Sequence, residues 1–302
     1  MSRSARSDPT RFAARVIATF GRTSLLECED GSTWSAVRRG RRSDLVVGDE
    51  VIATEAGPGQ AAVESIEPRR TLLFRSDAFR TKELAANVDC VLIVFASRPT
   101  FNLWFLWKAL VAARASGIEA ILVRNKTDLD EGAAAAQAAL DQAGALGWRT
   151  LAVSARTQPE STRAALLDAV QGRNALLVGQ SGMGKSTLLN LLVPQAQART
   201  REYSERLDLG KQTTTAARWF RLVDGGAIVD TPGFQEFGLA HLSPAQLLAG
   251  FPDFEAHLCR CRFIDCRHIA EPDCAVRRAV DAGAIARDRY AFYEALIQPR
   301  TR

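Results

Sequence analysis

The sequence predicts an α/β protein of three parts: a small N-terminal β-barrel, a central parallel sheet covered by helices, and a mostly helical C-terminal piece. Three observations carry this. Five short β-type runs separated by turn residues lie between residues 11 and 67. From Val88 to Leu192, apolar runs of strand length alternate with helix-like stretches. Four of the six cysteines then fall within the sixteen residues from Cys259 to Cys274. The 302 residues suit two or three domains, expected at 1–68, 69–235 and 236–302.

Composition narrows the class. Hydrophobic residues at 47% and charged residues at 24% exclude a mainly disordered, collagen-like or coiled-coil chain. The net charge of +5 permits an anionic partner without requiring one. Of the 39 basic residues only 5 are lysine, so each lysine is worth inspecting. MSRSARSDPTRFAARV lacks the apolar centre of a secretory signal. The most apolar run, Cys90–Ala96, is far short of the roughly 18 residues a membrane span needs. A soluble, cytoplasmic protein with no membrane contact is expected.

The first part reads as strands at Arg11–Phe20, Ser24–Glu29, Thr33–Val37, Asp49–Thr54 and Ala61–Ile66. Gly21-Arg22, Asp30-Gly31, Val47-Gly48 and Gly57-Pro58-Gly59 punctuate them. So many short strands close best as a barrel, of which the OB-fold is one kind. Arg38, Arg39, Arg41 and Arg42 cluster on an expected loop of that barrel. They are candidates for RNA phosphate contacts, with a solvated charged loop as the plainer reading.

In the second part, strands are expected at Val88–Phe95, Ile118–Arg124, Thr150–Val153 and Ala175–Val178. Helices are expected at Phe101–Ser116, Gly132–Ala143 and Glu160–Val170. The last of these strands runs into Gly179-Gln180-Ser181-Gly182-Met183-Gly184-Lys185-Ser186-Thr187, which fits G-x-x-x-x-G-K-[ST] and opens a helix at Lys185–Leu192. Glycines let backbone N–H groups turn inward around phosphate oxygens, and the helix N-terminus adds positive potential. Lys185 would reach the β- and γ-phosphates, and the Ser186 hydroxyl would ligate Mg²⁺.

Asn125-Lys126-Thr127-Asp128 ends the strand at Ile118–Arg124. A carboxylate there accepts two hydrogen bonds from guanine N1–H and the exocyclic amine, and adenine offers no such pair. Asp128 would therefore select GTP over ATP, Asn125 would support the base and loop, and the Lys126 stem would cover the ring. An ATPase or kinase would leave Asp128 without a role. Ser154-Ala155 follows the next strand, where a backbone N–H would meet guanine O6. That dipeptide counts only by its position. Asp230-Thr231-Pro232-Gly233 follows a strand at Ala227–Val229. Asp230 would hold Mg²⁺ through water and the Gly233 N–H would sense the γ-phosphate. Gly210-Lys211-Gln212-Thr213-Thr214-Thr215 offers hydroxyls, Thr214 among them, for the same ion.

The third part holds Cys261-x4-Cys266-x-His268-x5-Cys274 and two expected helices, Ala275–Ala282 and Ala284–Ile297. Three thiolates and one imidazole suit a tetrahedral, structural Zn²⁺ site. Spacing alone leaves Cys259 and Cys261 as rivals for one position. Trp104 and Trp107, three apart on a helix, are expected to pack rather than stack on bases.

The order of the motifs is unusual. N-K-x-D and S-A precede the phosphate loop, and the threonines and D-T-P-G follow it. That is a circular permutation. This order, GQSGMGKST, GKQTTT, DTPGF and the cysteine segment resemble the circularly permuted ribosome-assembly GTPases of the ribosome small subunit-dependent GTPase A family, over nearly the whole chain. The resemblance implies an OB-fold barrel, a circularly permuted P-loop GTPase domain and a C-terminal zinc-binding domain. It picks Cys261, Cys266, His268 and Cys274 as zinc ligands. It implies binding to the small ribosomal subunit and its rRNA late in assembly and hydrolysis of GTP to GDP, with the subunit stimulating turnover; a monomer is expected. From the motifs themselves, Mg²⁺ is expected at Ser186, Thr214 and Asp230. Two positions bear on catalysis. Phe234 follows D-x-x-G, where many GTPases carry a water-orienting glutamine. Gln212 stands where the family has histidine, so Lys185, Gln212 and Thr214 are the catalytic candidates. An adaptor that binds GTP and RNA with little hydrolysis is the alternative.

Overall fold

The computed structural model describes residues 10–38, 44–76, 81–196, 217–232, 234 and 236–297. Arg39, Arg41, Arg42, Gln212, Thr214 and Gly233 lie outside the described residues.

The N-terminal strands are β1 (Arg11–Phe20), β2 (Thr23–Glu27), β3 (Thr33–Arg38), β4 (Glu50–Gly57) and β5 (Gln60–Ile66). They pair in the order β1-β2-β3-β5-β4, and β4 returns to β1, so the barrel is closed. Closure depends on the length of β1. Its first half pairs with β4 and its second half with β2, with a register shift between Val16 and Ala18. Such an irregularity bends a strand around a barrel corner. Val16, Leu26, Ala36, Val51, Ala53 and Val63 fill the interior.

A hairpin that the sequence did not announce comes next: β6 (Leu72–Ser76) and β7 (Thr81–Ala86). Arg69 fastens the barrel to it. Its guanidinium donates to both Asp49 carboxylate oxygens, at 2.7 and 3.0 Å, to Glu83 at 2.8 Å and to the Asp44 carbonyl at 2.7 Å. Asp49 is fully buried, so a bidentate guanidinium is what makes its charge tolerable.

The central strands are β8 (Cys90–Ala96), β9 (Glu119–Asn125), β10 (Arg149–Ala152), β11 (Asn174–Gly179), β12 (Arg218–Arg221) and β13 (Ala227–Asp230). The order is β10-β9-β8-β11-β13-β12, parallel except for β12. All seven residues of β8 are buried, as a strand covered on both faces requires. Val91, Ile93 and Phe95 face the cluster under α1 (Leu103–Ala115) and α2 (Ala133–Ala145). Leu92, Val94 and Ala96 face the cluster under α3 (Pro159–Val170) and α4 (Lys185–Leu192). The chain builds outward from β8 to β10 and then crosses back to β11. The β8/β11 boundary is therefore a switch point, where open α/β sheets bind ligands at the carboxyl ends of strands.

β12 meets β1 at Ala18↔Arg218, so barrel and central sheet form one eleven-stranded sheet. Beyond it, β14 (Glu236–Phe237) adds a third strand to the hairpin through β6. Four helices follow: α5 (Pro244–Leu248), α6 (Pro252–Glu255), α7 (Ala275–Asp281) and α8 (Arg287–Ile297). The last begins three residues later than expected. Trp104 and Trp107 of α1 each lie 5.6 Å from the Phe292 ring of α8, so both tryptophans pack between elements. Cys90 is buried, whereas Cys28 is only half-buried against the barrel interior. No helix among the described residues is long and apolar enough to cross a membrane.

Candidate nucleotide site and metal centre

The loop Gly179–Thr187 joins β11 to α4 at the switch point. Lys185 Nζ donates to the Gly179 and Gln180 carbonyls at 2.5 and 2.9 Å. The ammonium thus lies curled into the loop where phosphate oxygens would compete for it. Burial lowers its pKa and Asp230 pulls the other way. Asp230 ends β13, whose register sets it beside Leu177 of β11. Burial raises its pKa, against Lys185 and Arg218. Ser186 is exposed in the first turn of α4. A hydroxyl at the helix start and a carboxylate at the end of the next strand are a hard-oxygen donor set that fits Mg²⁺.

Asn125 ties three motifs together. Its buried side chain donates from Nδ2 to the Met183 carbonyl at 3.0 Å and accepts at Oδ1 from the Ala155 N–H at 3.2 Å. Lys126 Nζ donates to the Gly182 carbonyl at 2.6 Å and the Arg98 carbonyl at 3.0 Å, laying its stem along the loop. Thr127 N–H donates to the Val153 carbonyl at 3.2 Å. Asp128 is exposed and accepts a hydrogen bond from the Ser154 hydroxyl. That bond holds its carboxyl below the ordinary carboxylate range. The cavity between these motifs measures about 320 Å³ and is lined by Asn125, Lys126, Asp128, Ala155, Gly184 and Thr187. Leu129 and Arg156 complete it; each directly follows a motif residue, which is the signal that sequence reading passed over. Gly184 has φ +94°, and a Cβ there would lie 2.3 Å from Asn125 Nδ2. The loop thus needs glycine for conformation and for space.

Two expected residues stand differently from the bare motif reading. The Gln180 side chain accepts the Asn102 N–H at 2.7 Å, ahead of α1, so it braces the helix start. Phe234 is buried, 4.8 Å from the Phe237 ring and 6.2 Å from Phe105, so that side chain belongs to the core. Ser181, Gly182 and Ser186 are exposed along the loop, while Met183 is buried beneath it. Arg38 is half-buried and paired with Asp44.

The metal-ligating atoms of Cys261, Cys266, His268 and Cys274 all lie within 4.8 Å of one another. His268 Nδ1 is 3.5 Å from Cys261 Sγ and 3.4 Å from Cys274 Sγ, and those sulfurs are 3.9 Å apart. Tetrahedral Zn–S and Zn–N bonds place ligand atoms roughly 3.4–3.8 Å from each other, so the residues fit the ion. Cys259 is exposed and outside this group. Burial lowers the His268 pKa against the pull of Glu271, which favours the neutral, ligating imidazole. Glu271 organises the turn by accepting from the N–H groups of Arg267, Ile269 and Ala270 at 2.9, 2.9 and 3.1 Å. Burial works against its charge, yet these donors hold its carboxyl at about 2. Tyr290 and Tyr293 of α8 clamp the carbonyls of His268 and Arg267 at 2.7 and 2.8 Å.

The family model described as RsgA GTPase matches residues 66–240. The small ribosomal subunit biogenesis GTPase RsgA of Paraburkholderia xenovorans is 46% identical over 294 residues, covering 95% of this chain and 93% of that one. Its counterpart from Bordetella pertussis is 47% identical over 279 residues, covering 92% and 93%. Among solved structures, YjeQ from Thermotoga maritima matches with a TM-score of 0.71 at 29% identity, over 95% of this chain and 97% of that one. YloQ, a circularly permuted GTPase, matches with a TM-score of 0.68 at 24% identity, over 98% and 96%, a likeness of fold alone.

Proposed function

The chain belongs to the RsgA GTPase family, and we infer from that premise that it hydrolyses GTP to GDP and phosphate in the biogenesis of the small ribosomal subunit. The observation that carries this reading is Asn125. It bonds the phosphate loop on one side and the Ser154-Ala155 loop on the other, so motifs in permuted order line one cavity. Asp128 reads the guanine edge and Lys126 covers the ring. The phosphate-loop backbone from Gly179 to Thr187 cradles the phosphates, and Lys185 turns from the loop carbonyls toward their oxygens.

Ser186, Asp230 and Thr214 would hold Mg²⁺, which supplies neutralisation of charge on the β- and γ-phosphate oxygens. Phe234 is committed to the core and orients no water. That role falls to Gln212, an amide that positions water without accepting its proton, and the Gly233 N–H contacts the γ-phosphate. Basal turnover is accordingly slow, and contact with the subunit completes the site through residues 200–215. Cys261, Cys266, His268 and Cys274 would hold a Zn²⁺ in a structural role. Arg39, Arg41 and Arg42 contact rRNA phosphates in this reading, and Arg38, already paired with Asp44, contributes least. The protein acts as a cytoplasmic monomer late in assembly, in three domains at 1–68, 69–235 and 236–302.

The deciding experiment is multiple-turnover GTP hydrolysis with and without purified small subunits, with Lys185→Ala and Asp128→Ala as controls. Stimulation that disappears in both controls is expected. Turnover that ignores the subunit would sink the activation step. GTP binding without turnover in either condition would leave a nucleotide-switched adaptor instead.

A further inference from the structure

The Ser154 side chain holds more than the Asp128 carboxylate. Its oxygen also meets Thr157, with the Thr157 hydroxyl at 2.7 Å and the Thr157 N–H at 3.3 Å. Elementary chemistry fixes the order of protons along this chain. Ionised Asp128 has no proton to give, so the Ser154 hydroxyl is the donor between them. A serine hydroxyl carries one proton and two lone pairs. With its proton on Asp128, Ser154 accepts in both Thr157 contacts, and the Thr157 hydroxyl donates. Donation therefore runs from Thr157 through Ser154 to Asp128. All three hydrogen-bonding positions of the Ser154 oxygen are filled, which leaves its proton one direction. Successive bonds of this kind also polarise and strengthen one another.

The backbone brings Thr157 to this place. The Gln158 N–H donates to the Ser154 carbonyl at 2.9 Å, so residues 154–158 close into one turn ahead of α3. Ala155 and Arg156 of that turn line the nucleotide cavity, and Thr157 stands behind them. Thr157 is exposed, so replacing it leaves the core intact. A carboxylate that meets two donors on one base edge needs a fixed plane as well as a charge. Ser154 holds one of its oxygens, Oδ1, and whatever fixes Ser154 fixes that oxygen.

We propose that Thr157 is a positioning residue for base selection: its hydroxyl, acting through Ser154, sets the plane of the Asp128 carboxylate against guanine N1–H and the exocyclic amine. This rests on the base-reading role of Asp128 given above. The test compares binding of GDP and inosine diphosphate to the full chain by titration calorimetry. Hypoxanthine keeps N1–H and lacks the exocyclic amine, so a misaimed carboxylate loses more against guanine. Thr157→Val keeps the branched shape and removes the hydroxyl. It should lower GDP affinity about fivefold, the worth of one ordinary hydrogen bond, and inosine diphosphate affinity by about twofold or less. Thr157→Ser should restore both. Equal losses for the two nucleotides would assign Thr157 to loop stability alone and overturn the proposal. So would a wild-type preference in Thr157→Val when Asp128→Asn abolishes that preference. A guanine preference that survives Asp128→Asn would overturn the base-reading role itself, and the proposal with it.

Discussion

In the proposed base-reading role Asp128 needs its negative charge and its aim, and the Ser154 hydroxyl supports both by donating to the carboxylate. The bond lowers the pKa of Asp128, so the charged form persists to lower pH than for an ordinary carboxylate. Ser154→Ala should raise that pKa, and the acid limb of GDP affinity should move to higher pH; fluorescence titration across that limb measures it. Asp128→Asn should exchange guanine for xanthine, because the amide donates where xanthine presents a carbonyl. A variant that kept its guanine preference would remove Asp128 from base reading. Gly184→Ala should displace Asn125 and cost at least tenfold in nucleotide affinity, read by the same titration. That these motifs would meet around one cavity was legible because phosphate and guanine binding would require these residue types at these spacings. Gln180 bracing Asn102 was not legible, since nothing in a loop sequence says which backbone N–H a side chain will meet. The choice of Cys261 over Cys259 needed the resemblance, because two thiols two residues apart are chemically alike.

At the scale of elements, α1 is the joint between the nucleotide sheet and the C-terminal helices. Asn102 caps it by accepting from Trp104 N–H at 2.9 Å and Phe105 N–H at 3.3 Å. Lys108 pairs with Glu236 of β14 at 2.8 Å, and Arg114 with Glu255 of α6 at 2.5 Å. Arg289 of α8 is buried between the rings of Trp107, at 5.2 Å, and Phe251, at 4.6 Å, and pairs with Asp253 at 2.9 Å. Arg289→Ala would strand a buried carboxylate and should cost about 3–5 kcal/mol. Asn102→Ala should cost about 1 kcal/mol. Urea titration followed by tryptophan fluorescence separates the two, and equal losses would contradict this ranking. The strands and helices from Cys90 to Leu192 were readable because each carries its own apolar run. The β6–β7–β14 sheet was not, because a two-residue strand has no periodicity and its partner β6 is remote in sequence. Arg289 gave no signal either. A buried arginine looks like any other until its carboxylate and rings are known.

For the molecule as a whole, the barrel and the central sheet are joined where β1 meets β12 at the Ala18↔Arg218 pair. Arg15 of β1 stacks 4.6 Å over Trp219 of β12, and Arg221 pairs with Glu27 of β2 at 2.5 Å. β1 therefore guards the last strand of the central sheet. A chain beginning at residue 69 would leave β12 with bare N–H and C=O groups and an uncovered Trp219, a template for pairing with other copies. It should self-associate in size-exclusion chromatography, and a clean monomer would contradict this role for β1. The consequence reaches past folding. Deleting the barrel to ask whether it binds RNA would mostly report aggregation, so its arginines are better probed one substitution at a time.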